Sequence, residues 1–173
     1  KFGGKTYVNF PAINYRRYFG KNWEKTVKQG THNRMRSWGV NTLGCWSDDA
    51  LQKDRKTPYS LISSIWWQQS GYRKFPSPFR KNFQEDLEES LKKLSWSKGD
   101  PFCMGIFIGN ELEWPDKIGQ IIQNLPADSP TKRWAVSELK KLGKSTNPLL
   151  IKDLDGLYLP FARTFFEKCK AAD

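Results

Sequence analysis

Apolar and polar positions alternate along the chain with two different periods. A helical stripe is formed by apolar side chains at three- and four-residue spacing, namely Phe83, Leu87, Leu91 and Leu94. Residues 102–108 are instead apolar throughout except for Gly105, which is typical of a strand covered on both faces. Strands of this kind between amphipathic helices predict βα units and a parallel sheet, so the predicted fold class is α/β.

Weaker patterns of the same two kinds fill most of the remaining sequence. Helices are predicted over residues 22–38, 129–142 and 155–170, and Gly39 follows the first of them as a stop signal. Further strands are predicted over residues 40–46 and 59–67, and residues 47–49 are expected to cap a short helix. A complete (β/α)8 barrel takes about 250 residues, so a barrel would be represented here by under half of its strands.

Composition and charge narrow the class of protein. The 173 residues fit a single domain, 38% of them are hydrophobic, and no run of roughly 18 apolar residues could span a membrane. The net charge of +11 points to polyanions, yet the basic residues are scattered and accompany no nucleic-acid-binding motif. Solvated helix faces, a sulfated polysaccharide and nucleic acid therefore remain as alternative explanations of the charge.

Histidine and cysteine are too scarce for several kinds of site. His32 is the single histidine, and the three cysteines are far apart. A zinc cage or a histidine-based triad is therefore not expected, and we predict no metal site and three buried free thiols.

The strongest chemical signal lies at the end of the apolar strand, where Asn110 and Glu111 follow residue 108. The carboxyl ends of strands are where α/β folds place their sites. Phe107 and Trp114 are expected to desolvate the Glu111 carboxyl, which would raise its pKa and make it a proton donor. The alternative is a helix-capping or exposed loop carboxylate.

A second candidate patch lies at the end of the strand predicted over residues 40–46. Trp46 and Asp48 would share one mouth with Glu111 if both strands are parallel. The alternative is that Trp46 belongs to the core and that Asp48 is only a helix N-cap.

Both patches resemble the β-agarases of glycoside hydrolase family 50. Residues 36–48 read RSWGVNTLGCWSD and are similar to the second-strand motif of that family. Residues 100–114 read DPFCMGIFIGNELEW and are similar to its fourth-strand motif. The segments 15–23 and 126–132 also resemble the family, in the expected order along the chain.

The resemblance implies a retaining glycosidase on a (β/α)8 TIM barrel, with residues 1–173 as the N-terminal part of one catalytic domain, about strands one to four. Glu111 would be the general acid/base, and Asn110 would bind the sugar 2-hydroxyl. Trp46 and Trp114 would line the sugar subsites. Asp48 and Glu113 are the further residues expected to bind the substrate. Cys45 and Gly109 depart from the residues that the family typically has.

The resemblance also implies a substrate, partners and a location. The substrate would be a β-1,4-linked galactan, agarose or a related one, and the enzyme would be secreted or periplasmic. The chemistry requires no metal or organic cofactor, and the partner would be the remainder of the barrel on the same or another chain.

Retention needs a second carboxylate about 5–5.5 Å from the acid. Apart from Glu111 and Glu113, the glutamates all fall on predicted helices: Glu24, Glu85, Glu88, Glu89, Glu138 and Glu167. We therefore expect the nucleophile outside this sequence and the 173 residues alone to be inactive. A catalytically dead carbohydrate-binding barrel and a basic nucleic-acid-binding module are the competing functions.

Overall fold

The computed structural model describes residues 8–63, 77–112 and 118–172. The chain divides into two compact units. The first comprises Lys1–Ser60 and Pro101–Gly105, and the second comprises Leu61–Asp100 and Ile106–Asp173. Each unit therefore combines two separate stretches of sequence.

Helices begin the first unit. α1 spans Phe10–Phe19, a short 3-10 turn spans Gly20–Asn22, and α2 spans Trp23–Ser37. The α2 prediction is confirmed to within one residue at each end, and Gly39 ends the helix at φ +72° as expected. α1 was not predicted from the sequence, and none of its side chains is buried.

The strand predicted over residues 40–46 is wrong in extent. Within the described residues only Leu43 pairs there, forming a parallel bridge to Tyr59. A turn then closes with a 3.0 Å hydrogen bond from the Ser47 N–H to the Gly44 carbonyl, which ends the extended conformation. The short helix α3, Asp49–Lys53, follows this turn as predicted.

Two strands pair in the described part of the chain. β1 spans Tyr59–Ser63 and β2 spans Cys103–Ile108. The remainder of the strand predicted over residues 59–67 lies outside the described residues. β1 alternates between buried and half-buried positions, because successive side chains point to opposite faces of the sheet. Leu43 flanks β1 on one side and β2 flanks it on the other.

The prediction that β2 is covered on both faces is wrong for the described residues. Met104 is 60% exposed and Phe107 is 58% exposed. β2 is an edge strand of the sheet that these residues form, so its apolar sequence does not translate into burial. The described chain is thus of mixed helix and strand, with a small open sheet.

Helices form most of the second unit. α4 spans Phe83–Lys92, α5 spans Ile118–Asn124, α6 spans Pro130–Lys141, α7 spans Ile151–Asp155 and α8 spans Tyr158–Ala171. The helix predicted over residues 129–142 is confirmed as α6. The helix predicted over residues 155–170 corresponds to α8, but its predicted start is too early, because α8 begins at Tyr158. Gly156 and Leu157 separate α7 from α8, and α5 and α7 were not predicted.

Two apolar clusters hold this unit together. One joins buried side chains of α5, α6, α7 and α8: Ile118, Ile121, Ile122, Ala135, Leu139, Leu154, Leu157 and Phe161. The other joins α4 and α8 through Phe83, Leu87 and Phe165. The predicted stripe is therefore confirmed for Phe83, Leu87 and Leu91, whereas Leu94 lies beyond the end of α4.

The cysteines form no disulfide among the described residues. Cys45, Cys103 and Cys169 are free but only half-buried, so the predicted burial is wrong. No helix among the described residues is long and apolar enough to cross a membrane. The same residues contain no cluster of potential metal ligands.

Candidate active site

Asn110 and Glu111 follow β2 after a single residue, Gly109. Gly109 turns the chain at φ +75°, and Glu111 itself adopts φ +50°, in the left-handed region that side chains other than glycine rarely occupy. Such a conformation costs about 1–2 kcal/mol and persists only when the surroundings impose it. The backbone thus presents both polar side chains, which are exposed, from one strained turn.

Apolar contacts flank this turn on both sides. Ile108 before it and Leu112 after it pack against the cluster of Phe83, Leu87 and Phe165. Because Ile108 and Leu112 are apolar, their contacts with side chains of α4 and α8 anchor the turn through packing. The sequence predicted the strand end, but not these anchors.

The desolvation that was predicted for Glu111 is not provided by the described residues. Glu111 is exposed, and the neighbouring Phe107 is 58% exposed. The other predicted contributor, Trp114, lies outside the described residues, as does Glu113. The part of the prediction that concerns Trp114 therefore stays a prediction.

Trp46 and Asp48 lie together in the first unit, at the turn that precedes α3. Trp46 is 74% exposed, so it is not part of the core that the described residues form. Asp48 is the N-cap of α3, since its Oδ1 accepts a 2.7 Å hydrogen bond from the Ala50 N–H. One oxygen of Asp48 is thus engaged in a structural role, as the N-cap alternative stated.

The remaining described glutamates lie where the sequence placed them. Glu24 is in α2, and the others are in α4, α6 and α8: Glu85, Glu88, Glu89, Glu138 and Glu167. Among the described residues, therefore, Glu111 is the glutamate that follows a strand. A second carboxylate at a strand end is absent from this part of the chain.

The buried group around His32 was missed by the sequence interpretation. The His32 Nδ1 lies 2.9 Å from the Thr57 Oγ1, and its Nε2 lies 3.8 Å from the Asp54 Oδ2. Burial lowers the pKa of His32, and the nearby Asp54 carboxylate opposes that shift. His32 is fully buried, so it ties α2 to the residues before β1 and is not a substrate-facing group.

Two curated proteins are similar in sequence to this chain. No family model matches the chain. Beta-agarase B of Vibrio sp. (strain JT0107) is 28% identical over 154 residues, which cover 77% of this chain and 16% of that protein. Beta-agarase A of the same organism is 31% identical over 98 residues, or 49% of this chain and 10% of that protein.

Solved structures are similar to this chain over a longer stretch than these two relatives are. The agarase AgWH50C matches 93% of this chain and 28% of its own with a TM-score of 0.73 at 24% identity. PfGH50B matches 93% of this chain and 29% of its own with a TM-score of 0.75 at 23% identity. At these identities the likeness shows a shared fold.

The curated relatives and the solved structures point to the same kind of protein. Both sets include proteins described as agarases, and the chain spans less than a third of the length of each of those quoted. The resemblance to the β-agarases that residues 36–48 and 100–114 predicted is thereby confirmed.

Proposed function

We propose that this chain is part of a retaining glycoside hydrolase that cleaves β-1,4 linkages of agarose or a related galactan. The observation that carries the proposal is the left-handed Glu111, anchored at the end of β2 by Ile108 and Leu112. Strained backbone at a strand end is a place where catalytic side chains are commonly held. The similarity to β-agarases supplies the substrate class.

In this proposal Glu111 is the general acid/base. Its protonated carboxyl donates a proton to the bridging oxygen while the bond from that oxygen to the anomeric carbon breaks. A second carboxylate attacks the anomeric carbon and forms a glycosyl–enzyme ester. Glu111 then removes a proton from the water that hydrolyses the ester, which restores both carboxyl groups.

The neighbouring polar and aromatic groups orient the sugar in this proposal. Asn110 hydrogen-bonds the 2-hydroxyl at the cleavage point, and the exposed indole of Trp46 stacks on a sugar face. Trp114, Asp48 and Glu113 are the further substrate-binding residues proposed. One carboxylate oxygen of Asp48 caps α3, and the other oxygen would accept a hydrogen bond from a sugar hydroxyl.

The proposed framework is a (β/α)8 barrel of which residues 1–173 form about the first four strands. The exposed apolar side chains of β2 support this, because further barrel elements would cover Met104 and Phe107. The nucleophile is then a glutamate on a later strand, and the 173 residues alone are inactive. Secretion or a periplasmic location follows from the polysaccharide substrate.

The test replaces Glu111 in an active enzyme that includes this chain. Glu111→Gln keeps the shape of the side chain but cannot transfer a proton, so kcat on agarose should fall by about 10²–10⁴. Glu85→Gln on α4 is the matched control, because that glutamate is exposed and lies in a helix. Circular dichroism checks that both variants remain folded.

Three results would contradict parts of the proposal. Near-normal turnover by Glu111→Gln would exclude Glu111 as the acid/base. Release of reducing ends by the 173 residues alone would contradict the missing nucleophile. Binding of agaro-oligosaccharides without any hydrolysis by the wild-type enzyme would show a carbohydrate-binding protein.

A further inference from the structure

A buried glutamine connects two backbone segments of the first unit. Gln52 belongs to the short helix α3 and is 1% exposed. Its Nε2 donates a 3.2 Å hydrogen bond to the Gly44 carbonyl oxygen and a 3.1 Å hydrogen bond to the Ser60 carbonyl oxygen. Both protons of the amide nitrogen are therefore used, and one side chain joins the residues before α3 to β1.

The first of these carbonyl groups belongs to the turn that carries Trp46. The Gly44 carbonyl oxygen also accepts the 3.0 Å hydrogen bond that closes this turn. The residue before it, Leu43, is fixed to β1 by a 3.1 Å hydrogen bond from the Ser60 N–H to the Leu43 carbonyl oxygen. Gln52 thus extends the attachment to β1 by one residue, as far as the start of the turn.

The exposure of Trp46 makes this attachment important. Trp46 is 74% exposed, so the packing of its own side chain contributes little to fixing the turn. The position of the indole therefore depends on how the backbone of the turn is held. An aromatic ring that is fixed before a ligand arrives loses less conformational entropy on binding than a ring that moves freely.

The other polar atom of the Gln52 amide makes no comparable contact. Its Oε1 is buried, and no hydrogen-bond partner for it lies in the described part of the chain. A buried acceptor without a partner is costly, and a methionine side chain would fill a similar volume without that cost. What glutamine contributes here and methionine cannot is the pair of hydrogen bonds donated by Nε2.

We propose that Gln52 is a positioning residue for a sugar subsite at Trp46. By tying the Gly44 carbonyl to β1, Gln52 holds the turn so that the Trp46 indole is presented in one place to a galactan ring. The identity of the sugar rests on the proposed function. The positioning rests on the two hydrogen bonds, on the burial of Gln52 and on the exposure of Trp46. Gln52 itself does not touch the sugar, because it is buried.

The test is a double-mutant cycle in an active enzyme that includes this chain, with agarohexaose as the substrate. Trp46→Ala should raise KM about tenfold by removing the stacking surface. Gln52→Met keeps the volume but loses both hydrogen bonds, so it should raise KM about threefold through the freed turn, with kcat unchanged. The double variant should match Trp46→Ala alone at about tenfold, whereas independent effects would multiply to about thirtyfold.

Thr57→Val is the matched control in the same unit. Thr57 is 4% exposed, and its Oγ1 lies 2.9 Å from the His32 Nδ1. The variant therefore also removes a buried hydrogen bond, but not one that holds the turn. It should lower the melting temperature while leaving KM unchanged. A rise in KM equal to that of Gln52→Met would overturn the proposal, since both variants would then act by loosening the unit in general.

The remaining outcomes separate this subsite from the proposed catalytic function. An unchanged KM in Gln52→Met, or effects of Gln52→Met and Trp46→Ala that multiply, would overturn the positioning role and leave Glu111 as the acid/base. The same cycle in the dissociation constant of agarohexaose, measured by calorimetry, needs no hydrolysis. A protein that binds this sugar without cleaving it would therefore contradict the proposed function, yet it would support the subsite if the effect of Gln52→Met vanished in Trp46→Ala.

Discussion

A helical glycine in the second unit gives the sharpest test of the packing. Gly119 lies in α5, and its N–H donates a 2.7 Å hydrogen bond to the Asp155 Oδ1 at the end of α7. A Cβ added to Gly119 would lie 2.5 Å from the Ile151 carbonyl oxygen and 3.1 Å from the Leu154 Cβ. Gly119→Ala must therefore push α5 and α7 apart.

The magnitude follows from three opposing effects. Overpacking of a tight contact costs about 1–3 kcal/mol. Weakening a hydrogen bond to a charged acceptor costs up to about 1.5–3 kcal/mol. Alanine is favoured over glycine in a helix by about 1 kcal/mol, which offsets part of the loss. The expected net destabilisation is about 3 kcal/mol, or roughly 6–12 °C in the melting temperature of a chain of this size.

A second glycine provides the matched control. Gly30 lies inside α2, and a Cβ added there would meet nothing within 4 Å. Gly30→Ala should therefore stabilise its unit by about 0.5–1 kcal/mol. Because the chain divides into two units, scanning calorimetry is the suitable assay. A melting temperature of Gly119→Ala as high as that of Gly30→Ala would refute the close approach of α5 and α7.

Three further predictions concern single side chains. Burial lowers the pKa of His32 from 6.5, so the His32 imidazole binds a proton more readily in the unfolded chain than in the folded one. The free energy of unfolding should therefore fall as the pH drops below about 6.5. His32→Asn should flatten this dependence in denaturant titrations between about pH 7.5 and 5.5. Burial raises the pKa of the Cys169 thiol to about 11, so iodoacetamide at pH 8 should label it far more slowly in the folded chain than in urea, as read by mass spectrometry. Asp48→Ala should cost about 1 kcal/mol by removing the cap of α3, whereas Asp48→Asn should retain most of it in thermal melts.

Each of these has a result that would contradict it. A pH dependence that survives in His32→Asn would assign it to other groups. Labelling of Cys169 at the same rate in both states would show that its thiol is not shielded. Equal stability of Asp48→Ala and wild type would mean that the cap does not support α3.

The sequence predicted those helices whose apolar side chains recur over several turns. The stripe of Phe83, Leu87 and Leu91 gave α4 because one face of that helix packs on the core. α5 and α7 have seven and five residues, which is too short for a period of 3.6 to stand out. Their positions are set by contacts such as that of Gly119 with Asp155, which join residues 36 apart in sequence.

The candidate site shows the same division between local and long-range information. That Asn110 and Glu111 follow a strand could be predicted, because an apolar run ending in polar residues is a local signal. The left-handed conformation of Glu111 could not, because glutamate has no intrinsic preference for it. Ile108 and Leu112, on either side of it, pack on residues of α4 and α8, and that packing exists only in the folded unit.

Those anchors yield one last prediction about the site. Leu112→Ala would loosen the turn without touching any polar group, so Glu111 would no longer be held in its unfavourable conformation. If Glu111 is the acid/base, kcat of an active enzyme containing the chain should fall at least tenfold through misplacement of the carboxyl alone. Leu91→Ala on α4 borders the same cluster but not the turn, so it should lower stability while leaving kcat nearly unchanged. Equal effects of the two variants on kcat would show that the geometry of this turn does not matter for the reaction.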